Sequence, residues 1–269
     1  MKTLYAVPWY TCNLQCPHCN VRNRKFTLNF SKFIHELRNS EADNIVLFGG
    51  EPTLMWDKFC ECIWTDKVNS VSTNLVVYDE NFTRNTMAPL LNAYDVDVAT
   101  SWNFTRFTMQ QMGQWLTNVN VLVRNNIDVL VMITLTQDLL EADLRDVYDI
   151  FGIMEQAGIK TFLFESYIGS NEVNNLADEW LVKFHKEYKG NMHSMILDRL
   201  EDWNCDCDEV QTLEPDGNIL KGCPDSLVIK DKTFCNECLL CDKSNICRPC
   251  MLQKSCSYPK KLYEFVKGK

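Results

Sequence analysis

The chain has 269 residues, 46% of them hydrophobic and 23% charged, with a formal net charge of −9 and a pI near 5.0. That balance excludes wholesale disorder and a broad nucleic-acid-binding surface, and it supplies enough apolar material for one barrel-sized domain with a small appendage. No signal-peptide pattern and no apolar run of membrane-spanning length is present, so a cytoplasmic location without a membrane partner is expected.

From residue 3 onward, short apolar runs alternate with helical patterns. Thr3–Val7 is the first expected strand. Residues 28–40 follow as a helix, with Phe30, Phe33, Ile34 and Leu37 on one face. Asn44–Phe48 is the second strand, and residues 56–64 (WDKFCECIW) read as a helix. Strand Ser70–Thr73, helix 81–94, strand Val96–Ser101 and helix 109–125 come next. Val129–Leu135 (VLVMITL) reads as a fully buried strand of a parallel sheet. A helix over 138–158, stopped by Gly158, leads to strand Thr161–Glu165. Six such repeats predict an α/β fold, a partial (β/α)6 TIM-like barrel, with ligands gathered at the C-terminal strand ends. The expected organisation is a barrel over 1–171, a helical bridge over 172–204 and a small cysteine-rich domain over 205–269. Pro215-Asp216-Gly217 marks a turn at the start of that last region.

The 14 cysteines are unevenly spread. In a reducing compartment such a count points to metal or cluster ligation rather than disulfides. Cys12, Cys16 and Cys19 share one loop after the first strand. At this spacing they suit three irons of a 4Fe-4S cubane and leave the fourth iron open to an outside ligand. A three-cysteine zinc site completed by His18 is the alternative, although His18 adjoins Cys19, which makes joint ligation awkward. Gly49, Gly50 and Glu51 follow the second strand. Two glycines allow close backbone approach, and a carboxylate there suits an ammonium group. A plain turn before a helix with Pro52 near its first position is the alternative. Ser72, Thr73 and Asn74 end the third strand and are also ordinary turn formers. Cys60 and Cys62, two apart on a helix, do not share a face and read as passive buried thiols.

The run Cys12-x3-Cys16-x-His18-Cys19 resembles the signature of the radical S-adenosylmethionine (SAM) superfamily. The resemblance implies a SAM-binding 4Fe-4S cluster on these three cysteines, with reductive SAM cleavage and hydrogen abstraction from substrate. It implies that Gly49-Gly50-Glu51-Pro52 binds the methionine amino group and that Ser72-Thr73-Asn74 lies near SAM, with Leu75 where the superfamily usually has glycine. It further implies a ribose or carboxylate contact for Ser101, although Trp102-Asn103 replaces the common Asp-Gly. A substrate role at Glu165-Ser166-Tyr167 is a weaker suggestion, and Asp225 is a candidate proton acceptor or a solvated turn residue.

Nine cysteines between 205 and 256 suit two cubanes or two structural zinc sites equally by spacing. Their order around Pro215-Asp216-Gly217 resembles the SPASM domain of radical SAM peptide-modifying enzymes. The resemblance implies one auxiliary cluster on Cys205, Cys207, Cys223 and Cys250, and a second on Cys238, Cys241, Cys247 and Cys256. Cys235 is left over. The implied activity modifies or crosslinks a peptide or protein side chain. It needs an external one-electron donor and, since the barrel starts at once, recognition of the peptide by a separate leader-peptide-binding protein or by the barrel mouth itself. A small-molecule substrate such as a nucleoside or sugar is the alternative. A non-enzymatic zinc or iron–sulfur module is an alternative of another class.

Overall fold

The computed structural model describes residues 2–19, 24–165, 171–197, 210–221 and 259–268. The strands are β1 (Thr3–Ala6), β2 (Asn44–Leu47), β3 (Ser70–Ser72), β4 (Asp97–Trp102), β5 (Val129–Thr134), β6 (Thr161–Glu165), β7 (His193–Ser194), β8 (Val210–Leu213) and β9 (Ile219–Lys221). They form one sheet in the order β7-β6-β5-β4-β3-β2-β1-β8-β9. Every pairing is parallel except β8 with β9. The expected mixed α/β fold with a parallel sheet is therefore present, and six strands lie side by side in chain order.

The helices between the strands are α1 (Phe30–Arg38), α2 (Trp56–Ile63), α3 (Glu80–Phe82), α4 (Ala88–Ala93), α5 (Met109–Arg124), α6 (Gln137–Glu141), α7 (Leu144–Gln156) and α8 (Asn171–Glu187). A π turn over Thr83–Met87 joins α3 to α4. Phe33, Ile34 and Leu37 bury the apolar face of α1, as its spacing predicts. Each such side chain contributes roughly 1.5–3 kcal/mol when fully buried. Cys60 and Cys62 lie buried on α2 in the same core region, and burial raises both thiol pKa values.

Three expectations are corrected. Val129–Leu135 is not buried on both sides: Val129, Val131 and Ile133 are buried while Leu130, Met132 and Thr134 are half-buried. The same alternation runs through β1 to β4, because helices cover one sheet face only. On the covered face, the Trp115 indole N–H of α5 donates to Thr100 Oγ1 at 2.9 Å. The expected helix over 138–158 is two helices. Ala142 turns extended and Asp143 restarts the chain by accepting the Arg145 N–H at 2.9 Å, a side-chain cap. The stretch expected as an all-helical bridge also contains β7, which pairs with the otherwise open edge of β6.

On α8, Asp178 accepts the backbone N–H groups of Lys261 (3.0 Å) and Leu262 (3.1 Å), capping the helix Pro259–Lys267. Residues 210–221, in the stretch read as the start of the cysteine-rich domain, extend the sheet beyond β1. Pro215-Asp216-Gly217 forms the turn between β8 and β9, with Gly217 at φ 78°. No helix among the described residues is long and apolar enough to cross a membrane.

Candidate functional site

Because the strands are parallel and in chain order, the segments after β1, β2, β3 and β4 emerge at one edge of the sheet. Those segments carry Cys12–Cys19, Gly49–Glu51, Thr73-Asn74 and Asn103–Arg106. The first two continue the β1–β2 pairing beyond the strands. Phe48 N–H donates to Ala6 O (2.9 Å), Gly50 N–H to Trp9 O (3.0 Å) and Glu51 N–H to Thr11 O (2.9 Å). The Trp9 indole N–H donates back to Glu51 O at 2.7 Å. The glycines make this approach feasible. A Cβ on Gly49, at φ 137°, would stand 2.6 Å from Trp9 O, and one on Gly50 would stand 2.2 Å from Thr11 O. The close approach that the glycines allow is thus to the backbone leading into the cysteine loop.

Glu51 is 1% exposed, and its carboxylate is the hub of the site. Oε1 accepts from Thr53 N (3.1 Å), Thr53 Oγ1 (2.6 Å) and Thr73 Oγ1 (2.7 Å). Oε2 accepts from Asn74 N at 2.7 Å. Glu51 also caps the short 3-10 turn Pro52–Leu54, so the turn-before-helix reading holds beside the hub. Four donors replace water around this buried charge.

Asn74, 2% exposed, carries the hub's position to the cysteines. Its Nδ2 donates to Asn13 Oδ1 at 2.7 Å and approaches Cys12 Sγ at 3.8 Å. Its Oδ1 accepts the Val76 N–H at 2.9 Å. Leu75 between them sits at φ 57°, the left-handed geometry that a glycine would take without cost. Leucine holds that geometry because its side chain is 3% exposed, anchored in the core. Ser72 and Ser101 lie on the half-buried sheet face, at the ends of β3 and within β4.

His18 Nε2 lies 2.9 Å from Asn103 Nδ2. Asn103 Oδ1 faces the Thr105 N–H (3.2 Å), which fixes the amide so that its N–H group points at the imidazole. His18 Nε2 is then the acceptor and Nδ1 carries the proton. That Nδ1 is buried with no partner among the described residues, as is Arg106 Nε. Burial first, and then the Arg106 charge, push the His18 pKa down to about 4, so the ring is neutral at neutral pH.

The residues fit the cluster that the sequence implies. Cys12, Cys16 and Cys19 form no disulfide. The Leu14 N–H points at Cys12 Sγ from 3.3 Å, the kind of donor that steadies a cluster thiolate. Burial raises the Cys12 pKa, with Glu51 and Cys16 adding to it; a bound metal would supply the positive charge that makes it a thiolate. Among the described residues no three His, Cys, Asp or Glu side chains close around a single ion.

Asn103, Arg106, Tyr10, Arg24 and Glu214 join the site without having been singled out from the sequence. Glu165 ends β6, at the C-terminal edge of the same parallel sheet. Ser166, Tyr167, Asp225, Cys205, Cys207, Cys223, Cys235, Cys238, Cys241, Cys247, Cys250 and Cys256 lie outside the described residues.

No protein-family model and no curated protein sequence matches the chain. Solved structures do. Streptococcus suis SuiB matches at 12% identity with a TM-score of 0.59, covering 85% of this chain and 61% of SuiB. SuiB bound to S-adenosylmethionine matches with the same identity, TM-score and coverage. SuiB bound to its precursor peptide SuiA matches at 12% identity and a TM-score of 0.59, over 99% of this chain and 66% of SuiB. The chain therefore spans about 61% of the first of these neighbours, and it shares their fold.

Proposed function

We infer that this chain is a radical SAM enzyme that modifies a peptide or protein side chain. The observation that carries this reading is the convergence of the CxxxCxxC loop, Gly49-Gly50-Glu51 and Thr73-Asn74 into one hydrogen-bonded unit at the C-terminal strand edge. The fold likeness to SuiB supports it, since that protein has been seen with S-adenosylmethionine and with a precursor peptide.

When bound and reduced, the cluster and SAM would supply the radical chemistry that removes a hydrogen atom from substrate. The chain's own residues hold and shield that chemistry. Cys12, Cys16 and Cys19 hold three irons. Glu51 fixes Asn74, and Asn74 fixes the loop through Asn13. Oε2 of Glu51 accepts only one hydrogen bond from the described residues, so it has room for an ammonium group. His18 Nδ1 and Arg106 Nε supply two partnerless donors for an anionic or acceptor group beside the loop. Ser72 and Ser101 present hydroxyls from the half-buried face.

In this reading eight of the nine cysteines between 205 and 256 hold two auxiliary clusters in the ligand sets given above, and Cys235 is left over. An external one-electron donor reduces the enzyme.

With dithionite and SAM under anaerobic conditions, the full chain is expected to release 5′-deoxyadenosine. Cys16→Ala is expected to reduce that to the uncatalysed background. Equal 5′-deoxyadenosine from wild type and Cys16→Ala contradicts the reading.

A further inference from the structure

The cysteine loop leaves the sheet at Tyr10 and the chain is described again at Arg24. One residue, 190 positions from Arg24, touches both ends. The Tyr10 hydroxyl donates to Glu214, at 2.9 Å to Oε1 and 3.1 Å to Oε2. Arg24 Nη2 donates to the same Oε1 at 3.2 Å. The Arg24 guanidinium also stacks over the Tyr10 ring, 4.5 Å from its centre. The three groups form a closed triangle at the base of the loop that carries Cys12, Cys16 and Cys19. Side-chain exposure is 25% for Arg24 and 12% for Glu214, so solvent screens this ion pair only in part.

Glu214 is itself held. It follows β8, whose register with β1 is fixed over Thr3–Ala6, and Val7 N–H donates to Leu213 O at 2.8 Å. The turn after it is tied down as well: Asn29 N–H donates to Pro215 O (2.9 Å) and Lys32 Nζ to Asn218 Oδ1 (2.7 Å). A rigid hairpin therefore presents one carboxylate to both ends of the loop.

We propose that Glu214 is a positioning residue that clamps Tyr10 and Arg24 and so holds the cysteine loop in its cluster-binding shape. The clamp rests on the reading that this loop holds a cluster. It acts from the side opposite Asn74, so the loop is held from β8 on one flank and from β3 on the other.

The test uses the full chain, reconstituted with iron and sulfide, and compares wild type with Glu214→Gln, Tyr10→Phe and Lys261→Met. The amide of Glu214→Gln keeps the shape but loses the charge that Arg24 meets. Iron release to a ferrous chelator is expected to be roughly tenfold faster in Glu214→Gln, and faster by a smaller factor in Tyr10→Phe. Lys261→Met, which removes an exposed ion pair with Glu179 that takes no part in the clamp, is expected to match wild type. Amide hydrogen exchange in the metal-free protein is the second readout. Glu214→Gln is expected to speed exchange in peptides covering residues 10–19 and to leave β5 and β6 unchanged. Wild-type rates for both readouts in Glu214→Gln overturn the clamp and leave the enzyme reading intact. Equal acceleration in β5 and β6 also overturns it, since that is a loss of overall stability. Wild-type protein that binds no iron at this loop overturns the reading first, and the clamp with it.

Discussion

Glu51→Gln is expected to lower the thermal midpoint by roughly 5–10 °C, and to do so while keeping the side chain's shape. The carboxylate takes three donors on Oε1 and one on Oε2. An amide has only one acceptor oxygen. If that oxygen takes the Oε1 position, the NH2 group faces the Asn74 N–H. If the amide flips, the NH2 group faces the Thr53 N–H and two hydroxyls. The hydroxyls can rotate, but a backbone N–H cannot. Either way a buried backbone donor loses its acceptor, which costs about 1–3 kcal/mol on top of weakened bonds to a neutral oxygen. Thr73→Val removes one donor and leaves the charge with three, so a smaller loss is expected there. Thermal melts followed by circular dichroism compare the two directly. A Glu51→Gln midpoint equal to wild type contradicts the hub.

Gly50→Ala is expected to act on the cysteine loop rather than on the sheet. The added methyl would meet Thr11 O at 2.2 Å, with Thr11 C and Tyr10 C both at 2.6 Å. All three are backbone atoms, so no side chain can swing aside. Relief requires the segments 9–11 and 50–51 to separate, which gives up the Gly50–Trp9 and Glu51–Thr11 hydrogen bonds. Overpacking of this kind costs about 1–3 kcal/mol, and each lost bond adds about 1 kcal/mol. Iron uptake at the loop is expected to fall by about tenfold or more, with the far-ultraviolet spectrum unchanged. Gly113→Ala and Gly152→Ala supply the contrast. Both glycines lie inside helices with open space where a Cβ would be, so these variants are expected to gain about 0.5–1 kcal/mol. Iron content measured on all three variants decides the matter; full loading of Gly50→Ala contradicts the account.

The repeating body was legible in the chain because its signals are local. Apolar runs of strand length and helical spacing of Phe33, Ile34 and Leu37 act over a few residues, and the six expected strands match to within a residue or so at their ends. The break at Ala142–Asp143 is also a local event, but the apolar spacing runs across it and hides the Asp143 cap. What no local pattern signals is pairing at long range. β8 lies beside β1 across roughly two hundred residues, and Glu214 meets Tyr10 204 positions away. Pro215-Asp216-Gly217 marks the turn, yet nothing in the sequence says which strand the hairpin joins.

The candidate site divides in the same way. The cysteine spacing and the two glycines point to their own segments. That Gly50 approaches Thr11, and that Glu51 spends its carboxylate on Thr53, Thr73 and Asn74, follows only from the parallel order of the strands. Leu75 shows the reverse case: a leucine stands where the resemblance expects glycine, and the left-handed backbone is kept because the side chain is buried. Asn103 and Arg106 follow Trp102 on an irregular segment, and only the fold brings them to His18.

The central claim is that the loop of Cys12, Cys16 and Cys19 holds a 4Fe-4S cluster with one iron open to SAM. Electron paramagnetic resonance of the reconstituted, reduced protein, recorded with and without SAM, tests it most directly. The account predicts about 12 irons per chain if both auxiliary clusters form and about four if neither does. In either case one reduced-cluster signal changes its g values when SAM is added, and that signal is missing in Cys16→Ala. A spectrum that does not respond to SAM, or the same response in Cys16→Ala, contradicts it.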